Sequence, residues 1–261
     1  MKLPFVNLPN FFLETPIAHR GFHNLNNAFS MGKGPENSKA AILAAANLGF
    51  AIEIDVQISS DFVPFVFHDY NLDRLSTGKG PIKDFSSQRI ASFNLVNNEN
   101  IPSLDEILSL LSGKTPLIIE IKDQDGFMGE NVGVLEAKIA ENLKNYDGLV
   151  AVMSFNPNSI LEFGKLMPTI PRGLVTDSFD QKAWNFLPED KLKDLASISS
   201  ADELGISFIS HRYNKLSSDI VSLHRKNSRR ILSWTISNKL MSKKALRYSE
   251  NITFEGFYPT F

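Results

Sequence analysis

The stretch that decides the fold is Ala51–Phe67, AIEIDVQISSDFVPFVF. It holds two apolar runs, Ala51–Val56 and Val63–Phe67, and only about five residues separate Val56–Ile58 from Val63. A parallel crossover needs a dozen or more residues, so these two runs must form an antiparallel hairpin. Working outward, short apolar runs recur at Pro16–His19, Leu117–Ile121, Leu149–Ser154, Arg172–Val175, Ile206–Ser210, Arg230–Ile236 and Ile252–Phe257. Most intervals between them carry helix-like segments: Ser38–Leu48, Ser103–Leu111, Val132–Leu143, Asn158–Met167, Leu187–Leu195, Ser217–Lys226 and Lys239–Tyr248. Pro102-Ser103 and Asn156-Pro157 read as helix starts, and Gly49 and Gly113 sit where stops are expected. Setting the hairpin strand Val63–Phe67 aside leaves eight parallel candidates, the number that closes an α/β, (β/α)8 TIM barrel. The expectation is that barrel, with an antiparallel hairpin extension after strand 2. A doubly wound sheet, which usually has fewer strands, ranks second.

No linker or repeat divides the chain, so residues 1–261 are expected to form a single domain. The 261 residues carry 27 basic and 29 acidic side chains, a net charge of −2 that gives no reason to expect a nucleic-acid partner. There are no cysteines, which removes disulfides, thiolate metal sites and a cysteine nucleophile together. Any metal must be held by carboxylates, imidazoles or carbonyls. No apolar stretch approaches the roughly 18 residues of a membrane helix. Prolines at 4, 9 and 16 interrupt any secretory signal, so the expected location is cytoplasmic. Residues 211–247 hold ten Lys/Arg against the single acid Asp219, which reads as the solvated sides of two surface helices. His211-Arg212 and His224 fall in this region without a carboxylate nearby in sequence and are expected at the surface. Trp184, beside Phe186, is expected to serve packing.

In a (β/α)8 barrel, chemistry belongs to the C-terminal ends of the strands, and polar residues gather there. Strand 1 ends in His19-Arg20-Gly21, strand 2 carries Glu53 and Asp55, and the strand over Leu117–Ile121 carries Glu120 and leads into Lys122. The period of two puts Glu53 and Asp55 on one face, and Glu120 and Lys122 likewise. Three carboxylates from adjacent strands make a hard oxygen site suited to one divalent cation, Mg²⁺ or Ca²⁺. A buried ion-pair network with Lys122 and Arg20 is the competing arrangement. A tight loop over Ser59–Phe62 would set His68 opposite Glu53, beside the carboxylates. His19 and His68 would then flank the site, a disposition suited to acid–base work on a phosphate ester, with Arg20 and Lys122 available to the anion.

These motifs together, with Pro35-Glu36-Asn37-Ser38, Pro64-Phe65-Val66-Phe67-His68-Asp69, Ile101-Pro102-Ser103-Leu104-Asp105-Glu106, Ser154-Phe155 and Ser233-Trp234-Thr235, resemble the glycerophosphodiester phosphodiesterase family. The resemblance covers roughly residues 16 to 259. It implies a phospholipase-C-like barrel that hydrolyses glycerophosphodiesters to sn-glycerol 3-phosphate and an alcohol through a cyclic phosphate. It further implies metal binding at Glu53, Asp55 and Glu120, an acid–base pair at His19 and His68, phosphate contacts at Arg20 and Lys122, and packing of Trp234 on the alcohol. The implied partner is a small-molecule glycerophosphodiester. A lysophospholipid is the alternative substrate, if Phe22, Phe29 and Met31 form an apolar channel. A non-catalytic phosphometabolite-binding barrel is a further alternative, which the retention of both histidines and all three carboxylates disfavours.

Three departures stand out. Asp61-Phe62 replaces the family's hairpin Asp-Gly, which removes the residue that most easily takes a positive φ. Glu255-Gly256-Phe257-Tyr258-Pro259-Thr260 replaces an Asp-Gly-Ile-Ile-Thr-Asp ending, so an Asp at the mouth of the last strand is missing. Phe22–Gly34, on the active-site face, is longer than in the shortest members and is expected to be a loop rather than a lid.

Overall fold

The computed structural model describes residues 2–24 and 28–260. Its nine strands are β1 (Ile17–His19), β2 (Ala51–Ile58), β3 (Pro64–Val66), β4 (Leu117–Ile121), β5 (Val150–Ser154), β6 (Arg172–Thr176), β7 (Phe208–Arg212), β8 (Arg230–Ile236) and β9 (Asn251–Phe254). The helices are α1 (Phe11–Glu14), α2 (Lys39–Asn47), α3 (Ser87–Ile90), α4 (Leu104–Leu111), α5 (Val134–Leu143), α6 (Pro157–Leu166), α7 (Glu189–Ser197), α8 (Asp219–Lys226) and α9 (Lys239–Ala245). Every strand but β3 runs parallel to its neighbours, and β1 pairs with both β2 and β9, which closes an eight-stranded barrel. Among the described residues no helix is long and apolar enough to cross a membrane.

Two apolar layers follow from strand alternation. Ile52, Ile54, Ile119, Ile121 and Ile209 face the helices, while Ala51, Ile118, Met153, Val175 and Leu232 fill the barrel interior. The N-terminal segment closes the bottom: Phe12 is fully buried in the interior cluster, and Asn251 donates to the carbonyls of Phe12 and Thr15. Helix starts form where the sequence places them. Ser103 caps α4 in a reciprocal pair with Glu106, and Asn156 caps α6 with Pro157 at its first position. Leu104, Ile107, Leu108 and Leu111 then bury one face of α4 at helical spacing.

The hairpin forms in a different register from the one expected. Val56 pairs with Val66, Gln57 with Phe65 and Ile58 with Pro64. The amide of Ser59 donates to the carbonyl of Val63 (3.0 Å), which leaves a three-residue loop, Ser60–Phe62. Phe62 takes φ 65°, so a bulky side chain occupies the left-handed position that glycine usually fills in such loops. This register would set His68 opposite Ile54 and turn it away from the carboxylates. β3 instead ends at Val66, and His68 heads the long excursion that follows, its carbonyl held by Gln57 Nε2 (3.2 Å).

Leu232 and Trp234 share the interior, but Ile236 belongs to the helix layer, because a register shift between Ser233 and Ile236 breaks the alternation. One further expectation fails. His211 and His224 are buried rather than at the surface. β7 extends to Arg212, so His211 follows Ile209 into the helix layer, where it bonds Thr176 Oγ1 (2.7 Å). His224 lies on the buried face of α8 against Arg229. Arg212 does find a carboxylate, Asp177 (2.8 Å).

Burial pushes the His211 imidazole down to about 4, against the pull of Asp177. A lowered imidazole pKa means the folded chain binds fewer protons than the unfolded one. The stabilisation is therefore full above about 6.5 and is lost as pH falls toward 4, by about 1.4 kcal/mol per pH unit. The stability gap between wild type and His211→Gln should shift by about 2 kcal/mol between pH 7.5 and 5.0 in urea titrations. A gap that stays constant across that range would show that His211 is not the group responsible.

Candidate active site

His-Arg-Gly ends β1. His19 Nδ1 donates to Glu255 Oε2 (2.6 Å), which leaves Nε2 aimed at Glu53, 4.0 Å away. Burial and the adjacent Arg20 charge lower the His19 pKa and outweigh Glu255, which favours the neutral imidazole. Glu255 itself is held far below the ordinary carboxylate range: burial opposes its ionisation, but bonds to His19 and His23 prevail. Gly21, at φ 83°, is needed for close approach, because a Cβ there would stand 2.7 Å from the Ala41 carbonyl carbon.

Each residue of Glu36-Asn37-Ser38 has its own task. Glu36 accepts from Arg20 Nη1 (2.6 Å), Asn37 Nδ2 donates to Asp55 Oδ2 (2.9 Å), and Ser38 caps α2. The backbone amide of Arg20 donates to Glu53 Oε2 (3.0 Å), and its Nε lies 3.2 Å from Asp55. On the next strand Glu120 stands beside Asp55 in register. Oxygens of Glu53, Asp55 and Glu120 lie within 4.8 Å of one another, and all three side chains are buried. Lys122 Nζ bonds Glu120 (2.7 Å) and Asp55 (3.3 Å), so the expected ion-pair network and the expected carboxylate cluster are present together.

That network does not neutralise the cluster evenly. Burial opposes ionisation of Asp55, yet His68, Lys122 and Arg20 hold it far below its usual pKa. Burial, with Asp55 and Glu120 alongside, pushes Glu53 well above its usual pKa. Glu53 Oε1 is buried without a hydrogen-bond partner. An orphaned carboxylate oxygen facing two further carboxylates is what a divalent cation would satisfy, so the residues fit such an ion.

His68 approaches from the other side, its Nδ1 bonded to Asp69 Oδ1 (2.7 Å). A cavity of about 60 Å³ is lined by the charged or ionisable His19, His68, Arg20, Glu53, Glu120 and Lys122 and by the apolar Met153, Phe155, Val175 and Trp234. Trp234 is fixed there by its Nε1 bond to the Ser210 carbonyl (2.9 Å) and edge-on contact with Phe155. Trp184 packs on Phe155, Phe179 and Phe186, as expected for a packing residue. An open cleft of about 430 Å³ adjoins the cavity, sharing His68 and Lys122 with it. A wider cleft, about 730 Å³, lies at the opposite end of the barrel, between the N-terminal segment and Arg225, Arg229 and Arg230.

The structure thus brings together all eight residues singled out in the sequence: His19, Arg20, Glu53, Asp55, His68, Glu120, Lys122 and Trp234. Sequence reading missed Glu255, Asn37 and Glu36 as their partners. A carboxylate directly after the last strand was the available signal for Glu255. The apolar channel does not form at Phe22, whose ring is buried against Phe29, Phe50, Phe254 and Tyr258. The described part of Phe22–Gly34 is a folded loop, closed by Lys33 N to Phe22 O (2.9 Å) and Asn24 N to Gly34 O (3.0 Å). Residues 25–27 lie outside the described residues.

Fold and site define a barrel enzyme that works on a small molecule at its strand ends. The sequence pattern of the glycerophosphoryl diester phosphodiesterase family matches residues 19–252, and the chain belongs to that family. The glycerophosphodiester phosphodiesterase of Caldanaerobacter subterraneus is 28% identical, covering 85% of this chain and 86% of its own. YhdW of Bacillus subtilis is 27% identical, covering 87% of this chain and 88% of its own. A phosphodiesterase of Oleispira antarctica, solved in complex with the product sn-glycerol-3-phosphate, superposes with a TM-score of 0.75 at 25% identity, covering 94% of this chain and 93% of its own. The protein is a glycerophosphodiester phosphodiesterase.

Proposed function

We propose that the enzyme is a divalent-metal-dependent hydrolase that releases sn-glycerol 3-phosphate and an alcohol, with His19 as base and His68 as acid. The observation that carries this reading is the cavity itself, which is lined by both histidines, Glu53, Glu120, Arg20 and Lys122, with Asp55 clustered against the two glutamates. Glu53, Asp55 and Glu120 would hold the ion, whose chemistry is to lower the pKa of the glycerol 2-hydroxyl and draw charge from the phosphoryl group. His19, neutral and oriented by Glu255, takes the 2-hydroxyl proton at Nε2. The freed oxygen attacks phosphorus, and the bond from phosphorus to the alcohol oxygen breaks as His68 donates a proton to that oxygen. Arg20 and Lys122 hold the phosphate oxygens throughout. Water then opens the cyclic phosphate with the two histidines exchanging roles. The chain 1–261 acts as one domain in this scheme, since residues from 19 to 255 meet in one site. The test is glycerol 3-phosphate release from a panel of glycerophosphodiesters, set against an aryl phosphodiester that lacks glycerol. The aryl diester should turn over slowly, having no 2-hydroxyl, and efficient cleavage of it would contradict the cyclic-phosphate route.

Trp234 offers a flat apolar surface to the carbon skeleton of glycerol while the charged residues of the cavity hold the phosphate. Trp234→Ala should weaken glycerophosphodiesters by about 1–2 kcal/mol, mainly as a higher KM, with a smaller effect on the aryl diester. Equal losses on both substrates would assign Trp234 to packing alone.

A further inference from the structure

Two of the residues assigned to the chemistry bond to carboxylates that share one partner. His68 Nδ1 bonds Asp69 Oδ1 (2.7 Å), and Arg20 Nη1 bonds Glu36 Oε1 (2.6 Å). Arg74 grips both acids at once. Its Nε and Nη2 donate to Asp69 Oδ2 and Oδ1 (2.7 and 2.8 Å), and its Nη1 and Nη2 donate to Glu36 Oε2 and Oε1 (2.8 and 2.7 Å). Glu36 comes from the loop after β1, and Asp69 and Arg74 from the excursion after β3. Atoms of Glu36, His68 and Asp69 lie within 4.8 Å of one another. At that range two carboxylates repel strongly unless a cation lies between them. The guanidinium supplies the cation and, through its fork of donors, the geometry.

We propose that Arg74 is a positioning residue that aims the acid His68 through Asp69 and the phosphate-holding Arg20 through Glu36. The two branches serve different parts of the reaction, so their loss reads out differently. His68 matters in proportion to how poorly the alcohol leaves, because a good leaving group departs without a proton. Arg20 holds phosphate in every complex, so its displacement raises KM whatever the alcohol. A lysine at position 74 is a point charge without the fork and can serve one carboxylate at a time. The inference rests on the acid–base roles proposed above.

The experiment compares two substrates that both carry the 2-hydroxyl: an alkyl glycerophosphodiester, and the p-nitrophenyl diester of glycerol 3-phosphate. Arg74→Ala should lower kcat on the alkyl diester by about 10–100-fold, the usual cost of losing a residue that orients a site. On the p-nitrophenyl diester kcat should fall only a few-fold, while KM rises similarly on both. Asp69→Asn should reproduce the kcat loss, Glu36→Gln the KM rise, and Arg74→Lys should recover part of one. Equal kcat losses on both substrates with a lowered Tm would make Arg74 merely structural and overturn the proposal, as would unaltered kinetics. A wild type inactive on both diesters would overturn the proposed function and this inference together. A live wild type with an indifferent Arg74→Ala falls on Arg74 alone.

Discussion

Exhaustive chelation should stop turnover, and Mg²⁺ or Ca²⁺ should restore it. Three carboxylates stand within 4.8 Å of one another in a buried site, and Lys122 and Arg20 reach only part of that charge. Glu53 is left with a buried oxygen that bonds nothing. A bound divalent cation should also raise Tm as its concentration rises through Kd, since it binds the folded chain and not the unfolded one. Glu53→Gln separates function from stability. It should abolish metal-supported turnover and the metal-dependent Tm gain, yet leave the metal-free protein as stable as wild type or more so, because it removes one of three crowded acids. Full activity after chelation, or a Tm indifferent to both ions, would sink the assignment of these three residues.

His19→Ala and His68→Ala should each lower kcat by roughly 10²–10⁴-fold, the range of a single acid–base contribution. The two should differ in leaving-group dependence. Without His68 the loss should shrink when the alcohol is p-nitrophenol, whereas without His19 it should persist, because the 2-hydroxyl proton must be taken from either substrate. Glu255→Gln keeps a hydrogen-bond acceptor for His19 but removes the charge, and should cost less than His19→Ala. Steady-state kinetics on the two diesters measure all of this. Either histidine variant keeping more than about a third of wild-type activity would make that histidine structural.

The barrel was legible because β2 speaks twice. Its alternation separates Glu53 and Asp55 from Ile52 and Ile54, and its short connection to Val63 forces the hairpin that leaves eight parallel strands. His19, Arg20, Glu53, Asp55, Glu120 and Lys122 were legible for the same reason, since strand ends fix where side chains converge, whereas Trp234 entered through the resemblance to the family. What escaped the sequence depended on local backbone. Phe62 adopting a positive φ shortens the hairpin loop by one residue and shifts the register, so His68 reaches the site by leaving the strand and not by pairing opposite Glu53. A register shift past Ser233 sends Ile236 outward. Two added residues on β7 carry His211 into the helix layer. Glu255, Glu36 and Arg74 act through contacts between loops far apart in sequence, which no spacing rule reports.

The most direct test of metal-dependent glycerophosphodiester hydrolysis is ³¹P NMR of a single alkyl glycerophosphodiester turning over on the enzyme, with divalent cation and then with chelator. The expected spectrum with cation shows the diester signal replaced by that of sn-glycerol 3-phosphate, and the chelated sample shows the diester alone. Release of glycerol with the phosphate left on the alcohol would contradict attack by the 2-hydroxyl, and unchanged turnover under chelator would contradict the role given to Glu53, Asp55 and Glu120.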